Sequence, residues 1–453
     1  MKFVKSHWPT LVTLVIVIAA VVFRFGTYGN PRLSIANNDT ETYVSSSEVS
    51  LFSIEAFTGR RLFSKNLIYQ IFKPKQGYEI LANGSGSTTK REAQETFTGI
   101  VLFQTALSLL GWGLLILAAT SQIRQSLLKI LAAVILMAFA FTPQIVDWDS
   151  VLSSEALTFS FFAIQFALLI LLVFRLEKTS RPDRSTIGLI ILWVIVVFFW
   201  SFLKDTNLYN LLADGLLLAA ALCLKPFRKQ KLLIGVLALL AAFFLLGWVT
   251  SAKSPRSQVS LLHIYQVSII SSPERYEYMK AEGMPEPDLK SPEFNDWFVK
   301  NAKNAYLKYM ITHPGIVARV YLRDSLSAFS ENLQPYFSAE DIASRSSLVR
   351  LGNALHPANS SPIIMDAILL FGIWMIAIKK APTSGLPWAW LATWVFLSAS
   401  LNMFITIFGD TYGLTRHALT ATLIFRLFMW LFAIVLIDLS LAPERRTQLS
   451  QTV

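Results

Sequence analysis

Apolar residues in this chain come in long runs rather than in alternation. LVTLVIVIAAVVF near the start and LLIGVLALLAAFFLLGWV in the middle are examples. A helix needs roughly 17–25 such residues to cross the hydrocarbon core of a bilayer. Ten runs qualify: 9–25, 97–119, 126–143, 151–174, 187–203, 206–223, 232–250, 362–378, 387–408 and 417–439. The fifth and sixth are divided only by Lys204-Asp205, which predicts a hairpin with a very tight turn. The third is short and ends in Thr142-Pro143. The pattern predicts an all-α polytopic membrane protein. It divides into a first span (1–25), a polar segment (26–96), spans two to seven (97–250), a second long segment (251–361), spans eight to ten (362–440) and a tail (441–453).

Both long segments are polar, and the second carries helical periodicity. In DWFVKNAKNAYLKYM, Trp297, Phe298, Ala305, Tyr306, Tyr309 and Met310 mark one apolar side, with Lys300, Lys303 and Lys308 off it. His313-Pro314 ends that helix, and Pro314 suits the first turn of the next. The following helix has Arg319 and Arg323 on one face, and either lies in the membrane interface or packs on the rest of the protein.

Composition agrees with the run pattern. The 453 residues are 54% hydrophobic and 15% charged, against roughly 25% charged in soluble proteins. Abundant Phe, Trp and Tyr suit lipid contact and interfacial belts. The single cysteine, Cys223, rules out an intrachain disulfide, and the five scattered histidines have no zinc-type spacing. The first run lacks a small-x-small cleavage site and reads as a retained span.

Charge gives an orientation. With the N-terminus in the cytoplasm, the loops SQIRQSLLK, RLEKTSRPDR, KPFRKQK and IKKAPTSG and the tail PERRTQ fall inside, and all are basic. The short loops TPQIVDWDS, LKDTN and GDTYGLTR fall outside and hold two cations, Lys204 and Arg416. The expectation is a multi-pass protein of the plasma membrane with both termini cytoplasmic and both long segments outside. The net charge of +11 is then accounted for by anionic lipid, without nucleic acid as a partner.

In this topology the isolated charges gather on the outer side. They are Asp39 and Glu41 in IANNDTETY, Asp147, Asp149 and Glu155 in VDWDSVLSSEAL, Lys204 and Asp205, Arg256, Asp410, and Arg416-His417. Cations there suit a phosphate and a carboxylate suits activation of a hydroxyl. Each also has an ordinary reading. Asp149 caps a helix, Asp205 turns the hairpin, Lys204 snorkels, and Asp39 and Glu41 are solvated. Two features resist such readings. Glu155 lies about one turn inside its apolar run, beyond a capping position. Arg416-His417 set cations at a helix N-terminus, against both the dipole and the charge bias.

Six motifs then occur in order between about residues 30 and 420: NNDTETY, LSSEAL, KDTNLY, ERYEYMKAEGMPEP, AYLKYMITHP and GDTYGLTRH. Together they resemble the GT-C superfamily of polytopic glycosyltransferases, and within it a bacterial branch of multi-pass proteins. Departures are Asn38 in place of Gly before the first acid, Lys204 where Arg is common, and the absence of an acid in TYGLT before Arg416. The resemblance implies inverting transfer of a sugar from a polyprenyl-phosphate donor to a cell-surface glycan, lipid or protein. It implies Asp39 as general base and Glu155 on the acidic side of a lipid-sugar site. Asp147 or Asp149 would join that side, orienting the acceptor or ligating a metal. Arg416 would meet the phosphate, with Lys204, Arg256 and His417 as further candidates. The motifs add Glu41, Tyr43, Asp205, Asn207, Tyr209 and Asp410 to the substrate-binding set. The resemblance fixes no cofactor and leaves a divalent metal (magnesium or manganese) open. Two other function classes stand beside this one: a transporter or lipid flippase, and a non-catalytic membrane scaffold. A transporter would place its polar groups at mid-membrane, whereas here they gather outside, Asp214 and Asp366 excepted.

Overall fold

The computed structural model describes residues 2–442 except 180–181, 225–226, 229, 289, 344, 381–383 and 411. The predicted tail beyond 442 and parts of three basic loops lie outside the described residues. Ten helices correspond to the apolar runs. They are α1 (Lys2–Tyr28), α4 (Thr98–Gln122), α5 (Ser126–Phe141), α7 (Glu155–Lys178), α8 (Arg184–Ser201), α9 (Asn210–Cys223), α10 (Lys231–Ala252), α15 (Ser361–Lys379), α16 (Gly385–Gly409) and α17 (Leu419–Ser440). Among the described residues nine helical stretches are long and apolar enough to cross a membrane, or ten when a bent pair counts as one. The chain is an all-α polytopic membrane protein. A helix pairs its own backbone groups internally, which lipid demands.

The bent pair corrects the predicted third span. Helix α5 stops at Phe141, and a short helix α6 (Pro143–Val146) with a tight turn over Asp147–Ser150 continues at 50°. Pro143 causes the break, since it cannot donate to the preceding turn. The fourth span is shifted as a result. It begins at Glu155 rather than 151, so Glu155 is the first residue of α7 and not one turn inside.

Helix α7 is the axis of the bundle. It packs against α4, α8, α16 and α17, and 83% of its apolar window is buried, against 11% for α1 at the periphery. Gly111 of α4 faces Ser160 of α7, where an added Cβ would meet the Ser160 carbonyl oxygen at 2.6 Å. Glycine there allows α4 and α7 to approach closely.

Among the described residues, both long non-spanning segments gather at one end of the bundle, the rim. The first long segment contributes α2 (Thr40–Ser46) and α3 (Phe63–Ile71). Its short strand β1 (Leu33–Ser34) pairs antiparallel with β2 (Glu92–Ala93). Ile35 exchanges backbone hydrogen bonds with the 148–153 stretch, and Thr89 with the strand-like stretch around Tyr336. The second segment contributes α11 (Pro255–Ile264), α12 (Lys303–Thr312), α13 (Pro314–Ala328) and α14 (Ser346–Leu355). Trp297, Phe298, Ala305 and Tyr309 enter a small core of its own with Tyr265 and Met279, while Lys300, Lys303 and Lys308 are exposed. Helix α13 packs on α16 and leaves Arg319, Leu322, Arg323 and Leu326 exposed.

Candidate functional site

Five chain segments meet at the rim around Arg416. The loop before α2 brings Asp39. Its backbone N–H donates to Asn37 Oδ1 (3.0 Å), and the Thr40 hydroxyl donates to the Leu152 carbonyl (2.9 Å). Asp39 stands at the N-cap of α2 but its carboxylate makes no cap bond. It accepts instead from Arg61 Nη2 (2.7 Å) and from Arg416 Nη2. Arg61 is held by the Thr42 hydroxyl (2.5 Å) and by the face of Tyr43 (4.4 Å). Burial alone would push the Asp39 carboxyl up, but the Arg416 and Arg61 guanidiniums outweigh it and hold Asp39 well below the usual carboxylate range.

Glu155 lies behind Arg416, with its side chain 1% exposed. Its Oε1 is 3.6 Å from Arg416 Nε and 3.7 Å from Lys204 Nζ. These distances are charge contacts but too long for hydrogen bonds, and neither Glu155 Oε1 nor Arg416 Nε has a hydrogen-bond partner. Lys204, from the α8–α9 hairpin, donates to the His417 carbonyl (3.3 Å). Arg416 also reaches the Tyr336 hydroxyl (3.3 Å). The Asp39 and Arg416 side chains are 22% and 23% exposed, so the cluster opens to solvent on one side.

Beside this cluster, Asp410 accepts from the Ser260 hydroxyl (3.3 Å) and lies 3.2 Å from His263 Nδ1 and 3.9 Å from His417 Nε2. Burial, with the Lys204 charge, pushes His417 down to about 4. This shift favours the neutral imidazole over the imidazolium. Burial likewise pushes Lys204 down, with Glu155 opposing.

The other candidate residues are placed elsewhere. Asp149 is buried against Arg24, and Asp147 against Arg345, both as close ion pairs. They lock α1 and the second segment onto the 147–150 turn. Asp149 is thus a buried ion-pair partner rather than a helix cap. Arg256 bridges Asp205 (3.1 Å) and the carbonyls of Gly59 and Phe57, so it is already engaged. Asn207 is buried and donates to the Trp200 carbonyl (3.0 Å), which closes the hairpin turn. Tyr209 packs on Phe244 of α10, with ring centroids 6.0 Å apart. Glu41 is exposed on α2.

Two site residues carry no flag in the motifs. Arg61 is one. Lys65 is the other, 1% exposed, donating to the Ser153 carbonyl with its ammonium 4.4 Å from the Tyr43 ring centre. Burial pushes Lys65 down to about 7. Its signal was available: Lys65, Ile68 and Tyr69 fall on one face of FSKNLIYQI, a lysine on an apolar stripe.

A divalent cation does not fit these donors as they stand. Among the described residues no group of three His, Cys, Asp or Glu side chains is arranged to hold a metal. Asp39 and Glu155 are instead neutralised by guanidinium and ammonium groups. Two clefts of about 320 and 370 Å³ open elsewhere, at Arg24 and Tyr28 and at Arg275 and Tyr306; neither is lined by Asp39, Glu155 or Arg416. The cluster itself is open to solvent at Asp39 and Arg416.

No family model matches the chain, and no curated protein matches it. Among solved structures it is similar to the archaeal oligosaccharyltransferase AglB from Archaeoglobus fulgidus in complex with an inhibitory peptide and a dolichol-phosphate. The TM-score is 0.45 at 11% identity, over 95% of this chain and 50% of that one. It is also similar to the Archaeoglobus fulgidus oligosaccharyltransferase tethered to an acceptor peptide with the NVT sequon, with TM-score 0.44, 12% identity and coverage of 96% and 50%. The chain spans about half the length of these structures.

Proposed function

We propose that the chain is a GT-C-like glycosyltransferase that moves a sugar from a polyprenyl-phosphate donor to a hydroxyl of a glycan, lipid or protein on the extracytoplasmic face of the plasma membrane. The observation that carries this is the convergence of Asp39 and Glu155 on one guanidinium, Arg416, at the end of the spans. Such a site lies where a lipid-borne phosphate would present its head. The basic loops at the opposite end of the bundle support the orientation.

The cluster also suggests how the reaction is timed. At rest Asp39 is a poor base, because two guanidiniums share its charge. An incoming phosphate competes for Arg416, with Lys204 beside it, and leaves Asp39 with Arg61 alone. Asp39 then takes the proton of the acceptor hydroxyl while the oxygen attacks the anomeric carbon. The bond from that carbon to the phosphate oxygen breaks, and polyprenyl phosphate leaves with the bonding pair. Arg416 and Lys204 stabilise the charge it gains. One displacement of this kind inverts the anomeric centre. Glu155 keeps Arg416 and Lys204 aimed at the open side of the cluster.

A transporter or flippase is the second reading, favoured by one observation: Asp214 lies buried inside the bundle, paired with Trp394 and Gln165. Incubation of the purified protein with a panel of polyprenyl-phosphate sugars and acceptors separates the two. Release of free polyprenyl phosphate supports the transferase. Translocation of intact donor across proteoliposomes, without release, supports the flippase and contradicts the transferase.

A further inference from the structure

Helices α7, α9 and α16 meet along a buried seam of polar side chains. On α16, Ser398, Asn402 and Thr406 recur every fourth residue at 0%, 0% and 1% exposure. That spacing sets them on one face. On α9, Asn210 and Asp214 are four apart, and on α7 Gln165 is fully buried. At the deep end Asp214 accepts from Trp394 Nε1 (2.6 Å) and Gln165 Nε2 (3.5 Å). Gln165 lies ten residues along α7 from Glu155, about 15 Å at the helical rise. This is half of the ~30 Å hydrocarbon core. The other end of the seam is the rim, since Thr406 is one turn from Asp410.

The polar atoms along this seam lack partners. Both side-chain atoms of Asn210 and of Asn402, the hydroxyls of Ser398 and Thr406, and Oε1 of Gln165 make no hydrogen bond. Many helical hydroxyls elsewhere in the bundle fold back onto their own backbone, although Thr158, Ser201 and Thr420 stand singly without a partner among the described residues. Thr120 donates to the Ile116 carbonyl (2.7 Å), Thr250 to Leu246 (2.7 Å) and Ser160 to Ala156 (2.8 Å). Ser398 and Thr406 do not, although the same bond is open to them. Buried polar groups are costly without partners, and one helix face concentrates them here. Buried water satisfies such groups, with about three hydrogen bonds per molecule.

We propose that the α7–α9–α16 seam is a hydrated inlet, in which a file of bound water runs from the rim to Asp214 and puts this mid-membrane carboxyl in contact with the rim-side solution. The inlet rests on packing and holds whether or not the rim transfers sugar. Hydroxyl-radical footprinting of the full-length wild-type protein in lipid nanodiscs tests it, because oxidation of a buried ring needs adjacent water. Trp394 and Trp200 are both buried, at 2% and 0%, and the Trp200 indole donates to the Thr158 carbonyl (3.0 Å). Trp394 is expected to oxidise several-fold faster than Trp200, and Asn402→Leu, which removes a water partner midway along the seam, should abolish that excess. A Trp394 rate no higher than that of Trp200 overturns the proposal, and so does an excess that Asn402→Leu leaves unchanged.

Discussion

Asp39 carries two guanidiniums on one carboxylate, and Lys65 is an ammonium buried among tyrosines. These two residues show what a sequence discloses. Arg416 was legible, because a cation opening a span on the outer side opposes both the dipole and the charge bias, whereas Asp39 lies in a polar loop where its charge reads as solvated, and only the family resemblance singled it out. Their direct contact was not legible, since 377 residues separate them and nothing local pairs them. Glu155 was singled out for a depth it does not have. It starts α7, yet its burial against two cations still marks it. Asp147 and Asp149 looked alike in sequence, but each is tied to a separate arginine.

Two predictions belong to this scale. Lys65 has a folded value of about 7, against 10.5 unperturbed. Between these values the unfolded chain binds a proton that the folded chain does not, so stability rises with pH across the window. Below it both forms are charged and the burial cost is present in full. Thermal unfolding in detergent should show this slope in the wild type and a flatter one in Lys65→Met. Arg345→Ala leaves the Asp147 carboxylate buried without its partner, and should cost about 3–5 kcal/mol. Adding Asp147→Asn should recover part of that loss. No recovery in the double variant would show that packing, not charge, dominates there.

At the scale of elements, long apolar runs disclosed the spans well. Each run is a helix because lipid leaves the backbone no other means of satisfying itself. The Pro143 break was visible only as a doubtful span end. The turn over Asp147–Ser150 is set by tertiary contacts, with Ile35 on one side and Arg345 on the other. The closeness of α4 and α7 was also hidden, because a single glycine inside an apolar run carries little signal. Gly111→Val would drive a side chain into the Ser160 carbonyl. We expect a loss of about 1–3 kcal/mol, read as an earlier thermal transition and a smaller monodisperse fraction on size exclusion. Gly188, where an added Cβ meets no neighbouring atom, serves as the control: Gly188→Ala should leave both readouts unchanged.

The whole molecule has two unlike ends. One end holds short basic connections such as Arg124–Gln125 and Asp183–Arg184, and the other holds both long segments and the rim cluster. Labelling of single cysteines should place positions 52 and 412, both exposed, on the extracytoplasmic side, and position 182 on the cytoplasmic side. Labelling of 412 from the cytoplasm alone would contradict the orientation.

The most direct test of the proposed transfer site is the release of polyprenyl phosphate from a polyprenyl-phosphate sugar by wild type, Asp39→Asn and Arg416→Ala, each with donor binding measured by native mass spectrometry. Asp39→Asn should slow turnover by about 10²–10⁴-fold while still binding donor. Arg416→Ala should lose both donor binding and turnover. Wild-type rates in both variants would contradict the account.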